Sequence, residues 1–201
     1  MHVGVAAVLL VVGCSGRSDR VYPLDDLPVR DWTLGLPVSG DGKLVVSRSL
    51  VDPRDWSTVT GHAVFTCNGC TLGDDHTAMK IDNPWADDPS TGVDFGHLTF
   101  DTVNARADFA NGRMRLDAQW RSQDFELDAT IDGVLAKTAG ETTLDGCVRF
   151  RPTEALRVRD PKLYAVVSVT GASTDDDGWY NIKIGGTLGE MKSLGAVCRL
   201  R

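Results

Sequence analysis

The residues with the most chemical potential in this chain are Cys67 and Cys70, in the stretch Phe65-Thr66-Cys67-Asn68-Gly69-Cys70-Thr71-Leu72-Gly73-Asp74. A CxxC pair can act as a redox dithiol, form half of a zinc site, or close a covalent staple. A redox dithiol wants its first cysteine at a helix N-terminus, where the local field lowers the thiol pKa. Here the pair follows a strand-like run, and Asn68-Gly69 between the cysteines reads as a tight turn. The zinc reading gains a ligand in His76, six residues after Cys70, with Asp74 and Asp75 close by. A structural zinc site usually recruits a second pair of ligands at short spacing, whereas Cys147 and Cys198 stand alone and far apart. The expectation is therefore a local Cys67–Cys70 disulfide, with a Cys147–Cys198 bridge closing the C-terminal strands. A metal site at Cys67, Cys70 and His76 is the alternative.

Other polar clusters carry less. Asp175-Asp176-Asp177-Gly178 resembles part of a calcium loop, but aligning Gly178 with the invariant glycine puts Ser173 first and Ile184 twelfth, where acids are required. It reads as an acidic hairpin tip. His2, His62, His76 and His97 show no paired spacing, and no serine sits in a G-x-S-x-G setting. The carboxylates fall on the wet faces of strands. The chain reads as a non-enzyme without a cofactor.

Charge excludes one class of partner. With 28 acidic against 21 basic residues, the net charge is −7, and phosphate binding needs a concentrated positive face. Arg149, Arg151, Arg157 and Arg159 are scattered pairs on what reads as a solvated strand face. Nucleic acid is not expected.

At the other end, Val3 to Gly13 is apolar or small and stops at Cys14. That is too short for a hydrocarbon core needing about 20 helical residues. It fits the apolar region of a secretory signal, and Val11-Val12-Gly13-Cys14 resembles a lipobox with Cys14 as the lipidated residue. The positive residues expected before such a segment are missing, so the tail end of a longer membrane helix is the other reading. Export to an oxidising compartment would suit the four remaining cysteines.

The elements that must position these residues read almost entirely with period two. Residues 1–19 are the signal-like or truncated membrane segment, 20–37 a loop, and 38–201 a single β-rich domain. Strands are expected at Lys43–Leu50, Ser57–Cys67, Thr77–Asp82, Leu98–Phe109, Arg113–Arg121, Phe125 onward, Thr143–Phe150, Leu163–Gly171 and Trp179–Leu188. Asn111-Gly112 predicts a type I′ hairpin. Met114, Leu116 and Trp120, then Phe125, Leu127 and Ile131, share one apolar face, and charges fill the other. Helical turns are expected only at Thr153–Val158 and Gly189–Leu194. The fold class is mainly β: a long antiparallel meander, curled or half-barrel-like, with little helix. The dry face must be covered, or offered to a lipid or partner.

The succession "LPVSGDGKLVVSRSL", "GHAVFTCNGCTLGD", "LTFDTVNARADFANGRMRLDAQWRSQDFELDATIDGVL", "LDGCVRFRP" and "DGWYNIKIGGTLGEMK" resembles the protein N family of bacterial type II secretion systems, in its delta-proteobacterial form. The likeness runs from Leu36 to Cys198 and lies in the order of the elements. It implies a membrane-anchored, periplasm-facing, non-enzymatic part of the machinery that moves folded proteins across the outer membrane, with other secretion components as partners. Members ordinarily begin with a cytoplasmic stub and a full membrane helix, where this chain has Val3 to Gly13. The family is also similar to AsmA-like proteins, which implies an alternative role in binding or transferring membrane lipid on the apolar sheet face.

Overall fold

The computed structural model describes residues 19–27, 37–50, 52, 54–74, 98–161, 164–165, 173–188, 190–194 and 198. Val3–Gly13, Cys14, His76, His97 and the strand expected at Thr77–Asp82 lie outside them, as does most of Leu163–Gly171. Among the described residues ten strands form one sheet: β1 (Arg20–Pro23), β2 (Val38–Leu50), β3 (Val59–Leu72), β4 (Leu98–Ala110), β5 (Arg113–Arg121), β6 (Phe125–Val134), β7 (Thr143–Pro152), β8 (Ser173–Thr174), β9 (Tyr180–Thr187) and β10 (Glu190–Ser193). The order is β1-β2-β3-β4-β5-β6-β7-β9-β10, with β8 also on β9, and every pairing is antiparallel. The sheet stays open, so the fold is a mainly β meander as expected. No described helix is long and apolar enough to cross a membrane.

Period-two patterning builds the centre. On β5, Met114, Leu116, Ala118 and Trp120 pair with Phe109, Ala107, Ala105 and Val103 of β4. On the other side they meet Gly133, Ile131, Ala129 and Leu127 of β6. One apolar surface therefore runs across the strands, because antiparallel register keeps directly opposed residues on one face. The β4–β5 hairpin turns at Asn111 (φ 52°) and Gly112 (φ 70°), as the Asn-Gly dipeptide requires. The next turn is held by Ser122, whose Oγ accepts from Phe125 N–H at 2.8 Å.

The ends of the sheet depart from the sequence reading. Arg20–Pro23, within the segment read as a loop, is strand β1. The chain then makes a 3-10 turn at Leu24–Asp26 that lays Leu24 and Leu27 on the apolar face, 3% and 8% exposed. Glu190–Ser193, read as a helical turn, is strand β10. Tyr164 and Ala165, read as strand, are helical. For β1 and β10 pairing with a longer neighbour overrides weak local preference. The turn at Thr153 does form helix α1 (Glu154–Arg159), because Thr153 Oγ1 accepts the Leu156 N–H and Leu156 is 1% exposed. Burying that leucine stabilises by about 1.5–3 kcal/mol.

Both rims are blunted. β2 is flanked by the four-residue β1, which ends in Pro23. The outer side of β9 is shared between β8 at Tyr180–Asn181 and β10 at Ile184–Thr187. Short edge strands limit the row of unpaired backbone groups that a foreign strand could use.

Candidate functional site

Cys67 and Cys70 are joined by a disulfide, with Cα atoms 5.9 Å apart. In a regular strand residues three apart lie about 10 Å from each other and point to opposite faces. The bond needs a break in the pleat, and Asn68-Gly69 supplies it, with Gly69 at φ 57°. The sequence reading had the pair on a turn that follows a strand; instead β3 continues through the kink to Leu72. Asn68 and Gly69 are consecutive exposed residues, and both cysteines point inward. β4 does the same opposite them, with Asp101 and Thr102 exposed between buried Phe100 and Val103. On the other side the β2 register shifts between Ser39 and Asp41.

Glycines on β2 make room for the sulfurs. A Cβ on Gly42 would meet Cys67 Sγ at 2.7 Å, and one on Gly40 would meet Cys70 Cα at 2.7 Å and Sγ at 2.8 Å. Leu24, Phe100 and Val103 complete the cluster around the bond. With Cys67 at 1% and Cys70 at 2% exposure, the pair is a core staple that fixes a bulge. Neither sulfur remains as a thiolate for redox chemistry or as a ligand, which displaces the Cys67/Cys70/His76 metal alternative. Among the described residues no group of three or more His, Cys, Asp or Glu could hold a metal ion.

Cys147 and Cys198 form the second expected disulfide, Cα atoms 5.6 Å apart. Cys147 lies between inward-facing Gly146 and Val148 on β7, opposite Thr130 and Lys183, so this bond sits on the polar face.

That polar face is laced with ion pairs. Arg106 holds Asp108 at 2.6 Å, Arg115 holds Asp117 at 3.0 Å, Arg121 holds Asp128 at 2.5 Å and Arg151 holds Glu126 at 2.6 Å. The Arg106 guanidinium keeps the Asp108 carboxyl below the usual range, and the Arg115 guanidinium does the same for Asp117. Between these pairs lies an open hollow of about 290 Å³ lined by Asn104, Arg106, Asp117, Gln119, Asp128 and Thr130, among others. At the β8–β9 hairpin, Trp179 lies 4.9 Å from both Arg149 and Arg151. Asp175 accepts from Trp179 N–H at 2.9 Å and from Arg149 at 2.8 Å. Trp179 N–H comes first among the groups that lower the Asp175 pKa. The stretch read as an acidic tip is therefore a fastened hairpin, and its anchor residues went unnoticed because the partner arginines lie on another strand.

On the apolar face the expected residues do gather. Met114 packs against the cluster of Leu27, Leu44, Val59, Ala63, Phe109 and Leu135. Trp120 and Phe125 pack against the disulfide cluster. Leu116, Leu127 and Ile131 form the middle of the same face and are only half-buried. Phe125, Phe150 and Tyr180 stack across β6, β7 and β9 with ring centroids 5.8 and 5.2 Å apart. Trp120 meets Phe100 edge-on at 5.5 Å, and its buried indole N–H has no acceptor among the described residues. Leu24 and Leu27 were missed as core residues, since a Pro- and Asp-rich stretch gives no periodic signal.

No protein-family model, no curated protein and no solved structure matches this chain.

Proposed function

We propose that this protein is a non-enzymatic scaffold or accessory component of a type II secretion apparatus, exported and held at a membrane, with Cys14 as the lipid acceptor. The observation that carries the reading is the placement of the resembling stretches: they fall in order on β2, β3, β4–β6, β7 and β9–β10 of one sheet. Two disulfides suit an oxidising compartment, and the cysteines that could have served redox or metal chemistry are consumed in them. A sheet stapled at both ends and neutralised on its wet face presents shape and register more than reactive groups. Deletion of the gene should leave the exported proteins trapped in the periplasm. Crosslinking in intact cells should recover another secretion component on the full chain. Normal export together with an absent crosslink overturns the proposal. Replacing Cys14 by Ser should release the protein from the membrane fraction.

A second reading follows from the half-buried Leu116, Leu127 and Ile131. An apolar sheet face that is incompletely covered is suited to acyl chains, and lipid binding or transfer would use it. Native mass spectrometry of protein purified from membranes should then show a bound phospholipid that Leu127→Glu abolishes. A lipid-free protein rules this reading out and leaves the first intact.

A further inference from the structure

The two disulfides differ in what a reductant can reach. Cys67 and Cys70 are 1% and 2% exposed, packed with Leu24. Cys147 is also buried, but its partner Cys198 is half-buried. The two bonds differ as well in what they restrain. Cys67–Cys70 spans three positions inside one strand, whereas Cys147–Cys198 spans 51 and ties the chain beyond β10 back to β7.

β10 is four residues long and, among the described residues, pairs with β9 alone. Past its end, Leu194 N–H donates to the Lys183 carbonyl at 2.8 Å. Glu190 N–H donates to Thr187 Oγ1 at 3.2 Å. The Leu194 side chain lies beside Gly185 yet remains 51% exposed. An isolated two-stranded contact of this length is marginal in water.

We propose that Cys147–Cys198 is a reductively opened latch on the C-terminal edge of the sheet, and that a dithiol reductant opens it ahead of Cys67–Cys70 and releases β10. The reductant's thiolate attacks Cys198 Sγ, the sulfur of the less buried cysteine, forming a mixed disulfide while the Cys147 thiolate leaves and takes up a proton. The second thiol of the reductant then attacks its own sulfur in that mixed disulfide. Cys198 is freed as a thiol and the reductant departs as a cyclic disulfide, having given up two electrons. Since Lys183 receives the Leu194 N–H, alternation assigns the backbone groups of Lys183, Gly185 and Thr187 to the β10 side. Release of β10 turns those groups into an open edge able to pair with another strand.

The test uses the folded full chain. It is treated briefly with dithiothreitol without denaturant, alkylated, and read peptide by peptide, with amide exchange measured in parallel. Cys147 and Cys198 should be labelled at least about tenfold faster than Cys67 and Cys70. Exchange across Glu190–Ser193 and at Lys183, Gly185 and Thr187 should rise at least about tenfold while β4–β6 stay protected. Equal or inverted labelling, absence of labelling, or loss of protection throughout the sheet would each overturn the latch. The variant Cys198→Ser should exchange at β10 without any reductant; full protection there overturns the proposal equally.

Discussion

The N-terminal and C-terminal parts of the sheet each contain a disulfide, and the bonds do different work. In β2–β4 the bond lies on the apolar face, inside the core, where it holds a kink in place. In β7–β10 it lies on the polar face and closes a long loop over a finished sheet. The first is packed against the backbone of Gly40 and Gly42 and the bulged segment of β3. The second ties β7 to the chain beyond the short edge strand β10, past the half-exposed Leu194. A covalent cross-link thus takes its energetic character from what it encloses, either the packing of a strand or the entropy of an unfolded chain.

The largest effect should separate those two characters. In the chain-entropy account, removing Cys147–Cys198 through paired Ala substitutions lowers unfolding free energy by about 4 kcal/mol, and removing Cys67–Cys70 by about 2 kcal/mol before packing losses. Denaturant titration of both double variants checks the order. Should the Cys67/Cys70 variant prove the weaker protein, packing of the buried sulfurs outweighs loop closure, and the N-terminal bond is the more important.

A glycine pair sharpens the contrast next. Gly40 sits at φ 128° with its would-be Cβ 2.7 Å from Cys70 Cα and 2.8 Å from the Gly69 carbonyl oxygen. Both obstacles are backbone, and the conformation is unfavourable for any side chain. Gly40→Ala should therefore cost about 3 kcal/mol, combining overpacking with strain. At Gly185 the nearest obstacle is Leu194 Cδ1 at 2.9 Å, the end of a half-exposed side chain that can swing away. Gly185→Ala should cost less than about 1 kcal/mol. Thermal melts of the two variants decide it, and equal losses would mean that the C-terminal edge is as rigid as the N-terminal kink.

Between the two regions stands Trp120, whose indole N–H is buried without an acceptor among the described residues. An unsatisfied buried donor costs about 1–3 kcal/mol, and the smaller phenyl ring gives up part of the packing against Phe100. Trp120→Phe should leave stability unchanged or raise it by up to about 1 kcal/mol, while Trp120→Ala should lose about 3 kcal/mol or more. A loss on Trp120→Phe as large as on Trp120→Ala would show that the N–H has an acceptor after all.

How much of this was legible in the residues follows from the range of the interactions. The meander of β4, β5 and β6 could be read because alternation, the Asn-Gly turn and the charged outer face are all local signals that agree. The disulfide pairing could be read because few chemistries suit two lone cysteines and one close pair. The kink through β3 could not, since Asn-Gly marks a turn and a mid-strand bulge alike until the partner strand is known. β1 and β10 were hidden for the same reason: four residues carry no periodicity, and only the exposed edge of β2 or β9 makes them strands. The Asp175–Arg149–Trp179 assembly joins residues whose sequence distance gives no warning of contact.

The smallest effect concerns the polar face that both regions share. Asp108 and Asp117 are held below their ordinary pKa first by hydrogen bonds from Arg106 and Arg115. Both carboxyls titrate lower in the folded chain than in the unfolded one. The stability they contribute is therefore present above the unfolded value of about 3.9 and fades as pH falls through the lower folded value. The side chains are about half exposed, 49% for Asp108 and 52% for Asp117. Solvent screening keeps the contribution under about 1 kcal/mol per pair. Unfolding free energy measured at decreasing pH should fall below about pH 4, and Asp117→Asn should make that fall shallower while changing little at neutral pH. An unchanged acid slope in Asp117→Asn would assign the acid sensitivity to other carboxylates.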